Sequence, residues 1–428
     1  MKIVQIVPGS GNTFYCQNCM RDNSLVTALK NMGHDVVAIP MYLPLFVDDN
    51  TFDHDVPVFY GAINTYLKQV LPIYRKAPVW LERLLDSRVL LDMAAKKAGS
   101  TNAAGLEDMT ISMLNGEDGN QSTELEHLVN WLRDHAKPDI VHLSNALLLG
   151  LAGRIKEELG VKIVCSLQDE HQWIDPMHED YRDKVWDLMA EKAEHVDAFF
   201  PVSRYYSDRM HQAMRIPRDK LHVVHLGHNL DGYMAKELPF DPPVIGYLSR
   251  FNDDLGLDIL VDAFIALKKN PQFRQTQLHL CGGYTTDDKQ FYESQRKKLE
   301  IHNHWSDVRV YEHFDKASRL EFLSNITVLS VPVPGGEAFG SYLIEAFASG
   351  VPVVQPNTGA YPEIIEMTGG GLVYNPNTAD ELCMALGTLL SSPQNAAIFG
   401  QEARNKSIHL FDIEKMAAKM INIYHTLV

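Results

Sequence analysis

Residues 326–371 read ITVLSVPVPGGEAFGSYLIEAFASGVPVVQPNTGAYPEIIEMTGGG. An apolar run leads into a glycine-rich loop, a short amphipathic stretch and a second apolar run. The order strand, loop, helix, strand is a βαβ unit, whose crossover is right-handed in nearly every protein. In open α/β sheets, ligands bind beyond the carboxyl ends of the strands. The loop Pro334–Gly340 falls at that address, just before the helix opened by Ser341. A helix N-terminus presents unpaired N–H groups and about half a positive charge, which suits anionic or polyhydroxylated ligands.

Two carboxylates bracket this loop, Glu337 and Glu345, with seven residues between them. Glu337 sits in the loop itself. Glu345 follows Ser341 by four positions and shares its helical face. A carboxylate accepts two hydrogen bonds at once, so this pair suits the gripping of hydroxyl pairs. The plainer alternative is an exposed loop acid and an ordinary helical one.

The chain totals bound what surrounds this unit. At 428 residues it exceeds one core, and two domains are expected. The apolar fraction of 45% and charged fraction of 22% are those of a soluble globular protein. A formal net charge of −16 argues against nucleic acid as a partner, because phosphate binding needs a basic surface. No apolar run is long enough to span a membrane. The opening MKIVQIVPGSGN reads as a first strand, not a signal peptide. The expected location is the cytoplasm, peripheral at the inner face of the membrane if the basic segment described below touches lipid. The five cysteines suit a reducing compartment. Cys16 and Cys19 form the only close pair, without the second pair a structural zinc needs, and they read as loop thiols.

Working outward, alternation of strands and helices fills both halves. Lys2–Val7 is a strand, followed by a loop beginning PGSGN, a helix from about Asn23 ended by Gly33, and a strand over His34–Ile39. Gly9 and Gly11 are followed by Phe14 where a third glycine would complete the dinucleotide fingerprint, so a Rossmann dehydrogenase is disfavoured. Residues 64–99 carry a local basic excess interleaved with Tyr66, Tyr74 and Trp80. They read either as a membrane-surface or acceptor-binding insertion or as a pair of surface helices with snorkelling stems. Asp139–Asn145 is a strand running into a loop, and VKIVCSL another, ending in the polar stretch QDEHQWIDPMHED over 168–180. Its density of titratable groups at a strand's carboxyl end points to chemistry. Strands over Ala198–Pro201 and Leu221–Leu226 close the half. Gly232–Pro243 reads as a linker, after which the alternation restarts at Val244. The expected divisions are 1–235, 240–411 and a C-terminal helix, 412–428, that packs back on the first domain. Two doubly wound halves imply a cleft between facing carboxyl ends.

GEAFGSYLIEAFASGVPVVQPNTGAYPEII resembles the donor-site signature of the retaining glycosyltransferases of family 4, the group 1 glycosyl transferases. Glu337 and Glu345 match its E-x7-E pair, GYLSRFNDDLGLDILVDAF resembles its arginine-containing loop, and Pro8–Asn12 its N-terminal glycine loop. The resemblance implies a GT-B architecture of two Rossmann-like domains and a hexosyltransferase that uses a nucleotide-diphosphate sugar, a UDP- or GDP-sugar. It also implies no other cofactor and no metal; Asp48-Asp49 and Asp287-Asp288 are adjacent pairs, not D-x-D. By the family pattern Glu345 takes the ribose hydroxyls. Glu337, with Ala338, Phe339, Gly340 and Ser341, holds the donor sugar, helped by Gly11 and Asn12. Arg250 faces the diphosphate, where a fixed cation neutralises leaving-group charge. His171 stands for the family's N-domain histidine, with Gln168, Asp169 and Asn145 on the acceptor side. The implied acceptor is a glycan, a lipid-linked sugar or a small molecule. Two positions depart from the pattern: Leu255 stands where the family has a phosphate-binding lysine, and Gln168 where it has the histidine. A binding protein that has lost transfer, or a GT-B epimerase, are the alternatives these departures leave open.

Overall fold

The structure, a computed structural model, describes residues 1–8, 17–42, 58–60 and 105–428, with backbone alone for 17–20. Gly11, Asn12, Cys16, Asp48-Asp49 and the segment 64–99 lie outside the described residues. The chain divides into two compact units. One holds the N-terminal strand, Asn18–His225 and Ile413–Val428; the other is essentially Leu226–Asp412.

The first unit is built on a five-stranded parallel sheet of β1 (Lys2–Val7), β2 (Asp35–Pro40), β3 (Ile140–Leu143), β4 (Lys162–Leu167) and β5 (Ala198–Pro201), in the order β2-β1-β3-β4-β5. Strands of an all-parallel sheet are covered on both faces and therefore read as continuous apolar runs; Ile3, Val4 and Ile6 of KIVQIV are completely buried. The strand order reverses between β1 and β3, the topological switch point at which ligands bind in such sheets. The helix Gln17–Asn31 begins before Asn23, with no Gly or Pro between Gly11 and Gly33 to stop it. Cys19 is thus helical. Leu221–Leu226 is not a strand but a single bridge, Phe199↔Leu221. Pro201 accepts from Val224 N–H yet has no N–H of its own to extend the ladder.

The helix Ile413–Leu427 belongs to this unit. Its buried residues Ile413, Met416, Ala417, Met420, Ile421 and Tyr424 recur at helical spacing. They pack with Ile3, Val36, Ile140 and Phe200 in one apolar cluster. The Tyr424 hydroxyl also lies 2.8 Å from His142 Nδ1, while His142 Nε2 lies 2.8 Å from Ser166 Oγ. A buried strand histidine is satisfied on both ring nitrogens, which is what its burial demands.

The second unit has six parallel strands, β6 (Val244–Leu248), β7 (Gln277–Cys281), β8 (Val308–Val310), β9 (Val328–Leu329), β10 (Val353–Pro356) and β11 (Gly371–Tyr374), in the order β11-β10-β9-β6-β7-β8. This is the doubly wound order of dinucleotide-binding sheets, and its switch point lies between β6 and β9. Those two strands pair through Ile245↔Val328 and Gly246↔Leu329. Residues 232–243, read above as a linker, are part of this unit. Tyr233 is buried there, and the Arg404 guanidinium donates to its carbonyl at 3.0 Å.

Candidate active site

The loops after β6 and β9 are neighbours across the switch point, and they carry Arg250 and Glu337. Gly256 brings them together. Its φ is +73°, and a Cβ there would stand 2.2 Å from the Pro332 carbonyl oxygen, so only glycine lets the β6 loop seat against the segment leaving β9. Gly336 has the same role toward the β10 loop: at φ +72° its Cβ would meet Gly359 N at 2.4 Å. Glu337 then receives Ala360 N–H on its backbone carbonyl at 3.0 Å. The helix Ser341–Ala348 that follows is buried along its whole length.

Within this frame the predicted donor residues Glu337, Ala338, Phe339, Gly340, Ser341 and Glu345 form one contiguous loop and helix. Each of the two acids is 0–1% exposed. Glu345 Oε2 accepts from Arg319 Nε and from the Tyr233 hydroxyl, both at 2.9 Å. Arg319 is itself 3% exposed and gives a second N–H to Phe314 O at 2.7 Å. Glu345 is therefore a buried carboxylate already matched to a cation. Glu337 makes itself felt at two tyrosines. Burial raises the hydroxyl pKa of Tyr247 and Tyr342, and the Glu337 charge raises both further, while Arg250 lowers that of Tyr247. The Tyr247 hydroxyl donates to Arg250 O at 2.9 Å and lies 3.2 Å from Leu255 O, so the loop bearing Arg250 is pinned by its backbone. Arg250 Nε stands 3.5 Å from Asp288 Oδ2, which also accepts from Thr285 N (2.9 Å) and Thr285 Oγ1 (2.7 Å).

The first unit carries its own polar group at the carboxyl ends of β3 and β4. Asn145 Oδ1 caps the turn after β3 by accepting Leu147 N–H at 3.1 Å. Gln168 Nε2 and Arg21 Nη2 both donate to Ser144 O, at 2.8 and 3.1 Å. Arg21 pairs with Asp22 inside the same buried layer. Asp169 adopts φ +56°, a conformation Asp tolerates better than most residues, and this turns the chain so that Glu170 points inward. Glu170 is 1% exposed and accepts three hydrogen bonds: Ala146 N at 2.9 Å, Gln168 N at 2.8 Å and the Tyr206 hydroxyl at 2.7 Å. Burial raises its pKa, and the Tyr206 hydroxyl and the Ala146 N–H work against that rise. His171 Nδ1 lies 3.3 Å from the same Tyr206 hydroxyl. The rest of the 168–180 stretch is elsewhere. Asp175 pairs with Arg209, and His178 and Asp180 are exposed. Among the described residues no three His, Cys, Asp or Glu side chains group as metal ligands. A cavity of about 410 Å³ beside the helix Ala152–Leu159 includes none of the residues above, and Arg154 in its wall is matched by Glu126 and Glu158.

The residues that sequence reasoning passed over are Arg319, Tyr233 and Tyr206; Glu170 falls within the titratable stretch 168–180, and Asp288 reads from sequence only as half of an adjacent acid pair. Two left a trace. In the helix Lys316–Leu323, Arg319 shares its buried face with Phe322 and Leu323, an arginine in an apolar stripe. In Arg204–Met214, Tyr206, Met210 and Met214 mark the buried face in the same way.

The family models match in two adjoining blocks: "Glycosyl transferases group 1" over residues 234–406 and "Glycosyltransferase Family 4" over 116–231. Relatives include the MMP alpha-(1->4)-mannosyltransferase of Mycolicibacterium hassiacum, 34% identical over 89 residues (21% of this chain, 22% of that protein). Another is the phosphatidyl-myo-inositol mannosyltransferase of Mycolicibacterium smegmatis, 24% identical over 198 residues (46% of this chain, 47% of that protein). The chain thus matches less than half the length of either. Among solved structures, sucrose-phosphate synthase from Thermosynechococcus elongatus superposes with a TM-score of 0.71 at 18% identity, covering 99% of this chain and 98% of that one. Anabaena HepE in complex with UDP and glucose gives 0.68 at 16% identity over the full length of both chains. At such identities the likeness is one of fold. With the two family blocks side by side and a doubly wound sheet in each unit, the chain belongs to the group 1 glycosyl transferases and has their GT-B fold of two Rossmann-like units.

Proposed function

We propose that the protein is a retaining glycosyltransferase that moves a hexosyl group from a UDP- or GDP-sugar to a hydroxyl of a glycan, lipid-linked or small-molecule acceptor, without a metal. The observation that carries this reading is the meeting of Glu337 and Arg250 on adjoining loops at the β6/β9 switch point, with Glu345 one helical turn behind. Acids that grip hydroxyl pairs stand beside a cation suited to a diphosphate. The naming of mannosyltransferases among the relatives, and of UDP in the HepE complex, supports the same reading.

In this reading Glu345 takes the ribose hydroxyls. Arg319 and Tyr233 hold its carboxylate in place, so no side-chain entropy is lost when nucleotide arrives. Glu337, with the 338–340 backbone and Ser341, holds the sugar. Arg250 turns from Asp288 to the diphosphate and stabilises the charge that develops as the donor C1–O bond breaks. The acceptor oxygen forms its bond to C1 on the same face, and the departing phosphate takes the acceptor's proton, so no protein nucleophile is needed. The family pattern also assigns Gly11 and Asn12 to donor binding, and His171, Gln168, Asp169 and Asn145 to the acceptor.

Calorimetry with UDP, GDP and their sugars tests the donor assignment. Glu345→Gln is expected to weaken nucleotide-sugar binding at least tenfold, about 1.4 kcal/mol; an unchanged affinity in a folded variant sinks it. A second reading, nucleotide-sugar binding without turnover, rests on Leu255 and Gln168 at the two family positions. Slow release of nucleotide from the sugar by the wild-type chain decides for transfer, and binding with no turnover across acceptors decides against it.

A further inference from the structure

The cavity of about 410 Å³ beside the helix Ala152–Leu159 lies wholly within the first unit and takes no part in the donor reading. Its volume is that of a small-molecule site. The turn bearing Asn115, Glu117 and Asp118 forms one wall, and His195, ahead of β5, stands in another. Three glycines shape it. Gly116 has φ +63°, and a Cβ there would stand 2.2 Å from Gly150 O, while one on Gly150 would stand 2.1 Å from Met113 O. Only bare backbone lets this turn seat against the residues that lead into the helix. A Cβ on Gly153 would come within 3.2 Å of His195 Nε2, so glycine there leaves the imidazole its place.

The lining decides the class of ligand. Apart from glycine it is wholly polar, which disfavours a lipid chain. Glu117, Asp118 and Glu157 stand against Arg154, Lys156 and Lys192, so no net charge selects an ion. The cations are engaged: Arg154 faces Glu126, Glu157 and Glu158, Lys156 faces Asp197 at 2.9 Å, and Lys192 faces Glu191 at 2.9 Å. The side chains of Asn115, Glu117 and Asp118 and the His195 ring are not. Among the described residues none of these four groups makes a hydrogen bond or ion pair. A carboxylate accepts hydrogen bonds, and an amide or a neutral imidazole both donates and accepts. Directional donors and acceptors without net charge fit hydroxyl groups spaced around a neutral ring. The bare backbone at Gly150 and Gly153 lets the C–H face of such a ring come close.

We propose that this cavity is a saccharide-binding site, which holds a neutral sugar unit, free or within a glycan, through hydroxyl hydrogen bonds to Asn115, Glu117, Asp118 and His195. It includes none of the residues assigned to donor or acceptor, and it stands independently of the transfer reading.

Saturation-transfer NMR and calorimetry on the full chain provide the test, with methyl α-mannopyranoside, methyl α-glucopyranoside and, as a cationic control for the two acids, spermidine. A methyl glycoside is expected to bind with a Kd of about 1 mM. The double variant Glu117→Gln, Asp118→Asn is expected to weaken it about tenfold. Gly153→Leu carries a good helix former into the cavity and is expected to abolish sugar binding. Both variants are expected to leave UDP affinity within about twofold of wild type, because the donor residues belong to the other unit. Absence of sugar binding, spermidine bound in place of sugar, or sugar binding that persists in folded Gly153→Leu overturns the proposal. If Gly153→Leu does not fold, the exposed acids of the double variant carry the test, and unchanged sugar affinity there overturns it equally.

Discussion

At the carboxyl ends of β6 and β9, Glu345 faces Arg319 at 2.9 Å and Arg250 faces Asp288 at 3.5 Å. At the carboxyl ends of β3 and β4, Glu170 is held by two backbone N–H groups and a tyrosine hydroxyl, all neutral. Both carboxylates are nearly or completely buried, so the comparison isolates the kind of partner. A buried ion pair gains strong Coulomb attraction against a large desolvation penalty, and it becomes costly when one member is removed. A carboxylate held by dipoles keeps no such counter-charge, so burial itself pushes its pKa upward. The first arrangement suits a site that presents fixed charges to an anionic ligand. The second suits a hydrogen-bond relay whose proton positions matter.

The largest expected effect breaks the first arrangement. Arg319→Met leaves Glu345 buried without its cation and is expected to cost about 3–5 kcal/mol, read as lost amide protection in the helix Ser341–Ala348 by native-state hydrogen exchange. Adding Glu345→Leu removes the stranded charge and is expected to recover most of that loss. A cost below about 1 kcal/mol for Arg319→Met would mean that Glu345 leans on its hydroxyl donor instead, and the contrast between the two sites would collapse.

How far each site could be read from sequence follows the same division. Glu337 and Glu345 lie within one motif and Arg250 within another, because a loop-to-helix junction at a switch point is built from consecutive residues. The alternation of apolar runs likewise marked the strands of both sheets, since parallel strands buried on both faces must be apolar throughout; Leu221–Leu226 failed because Pro201 lacks an N–H. The partners were another matter. Arg319 reaches Glu345 across 26 positions, Tyr233 across 112, and Tyr206 reaches Glu170 across 36. Such pairings depend on which helices the sheet order brings together, and local pattern does not encode that. Gly232–Pro243 was read as a linker from its prolines and small polar residues. Composition could not show that Tyr233 within it is anchored on a buried carboxylate.

A change of pH separates the sites next. Burial raises the Glu170 pKa above its ordinary value, so the folded state holds a proton there more tightly than the unfolded chain. The sign follows from linkage. The stability this group contributes is present below the unfolded carboxylate pKa and is lost as pH rises through the folded one. Protection of the Ala146 and Gln168 amides is therefore expected to fall as pH is raised from about 4.5. Glu170→Gln, which does not titrate, is expected to flatten that slope. A slope unchanged in Glu170→Gln would assign it to another group.

The smallest expected effect compares the two hydroxyls directly. Tyr206→Phe and Tyr233→Phe each remove one O–H donor from a buried carboxylate, with the ring left to fill the same space. Glu170 would be reduced from three neutral donors to two, whereas Glu345 keeps the guanidinium of Arg319. Hydrogen bonds to charged groups contribute about 1.5–3 kcal/mol and ordinary ones about 0.5–1.5 kcal/mol. Tyr206→Phe is expected in the upper range, because no cation stands behind the lost donor. Tyr233→Phe is expected in the lower, because Arg319 already neutralises the oxygen it served. Amide exchange beside each carboxylate measures both. If Tyr233→Phe proves the more damaging, the hydroxyl rather than the cation holds Glu345, and the ion pair is a bystander to the site's order.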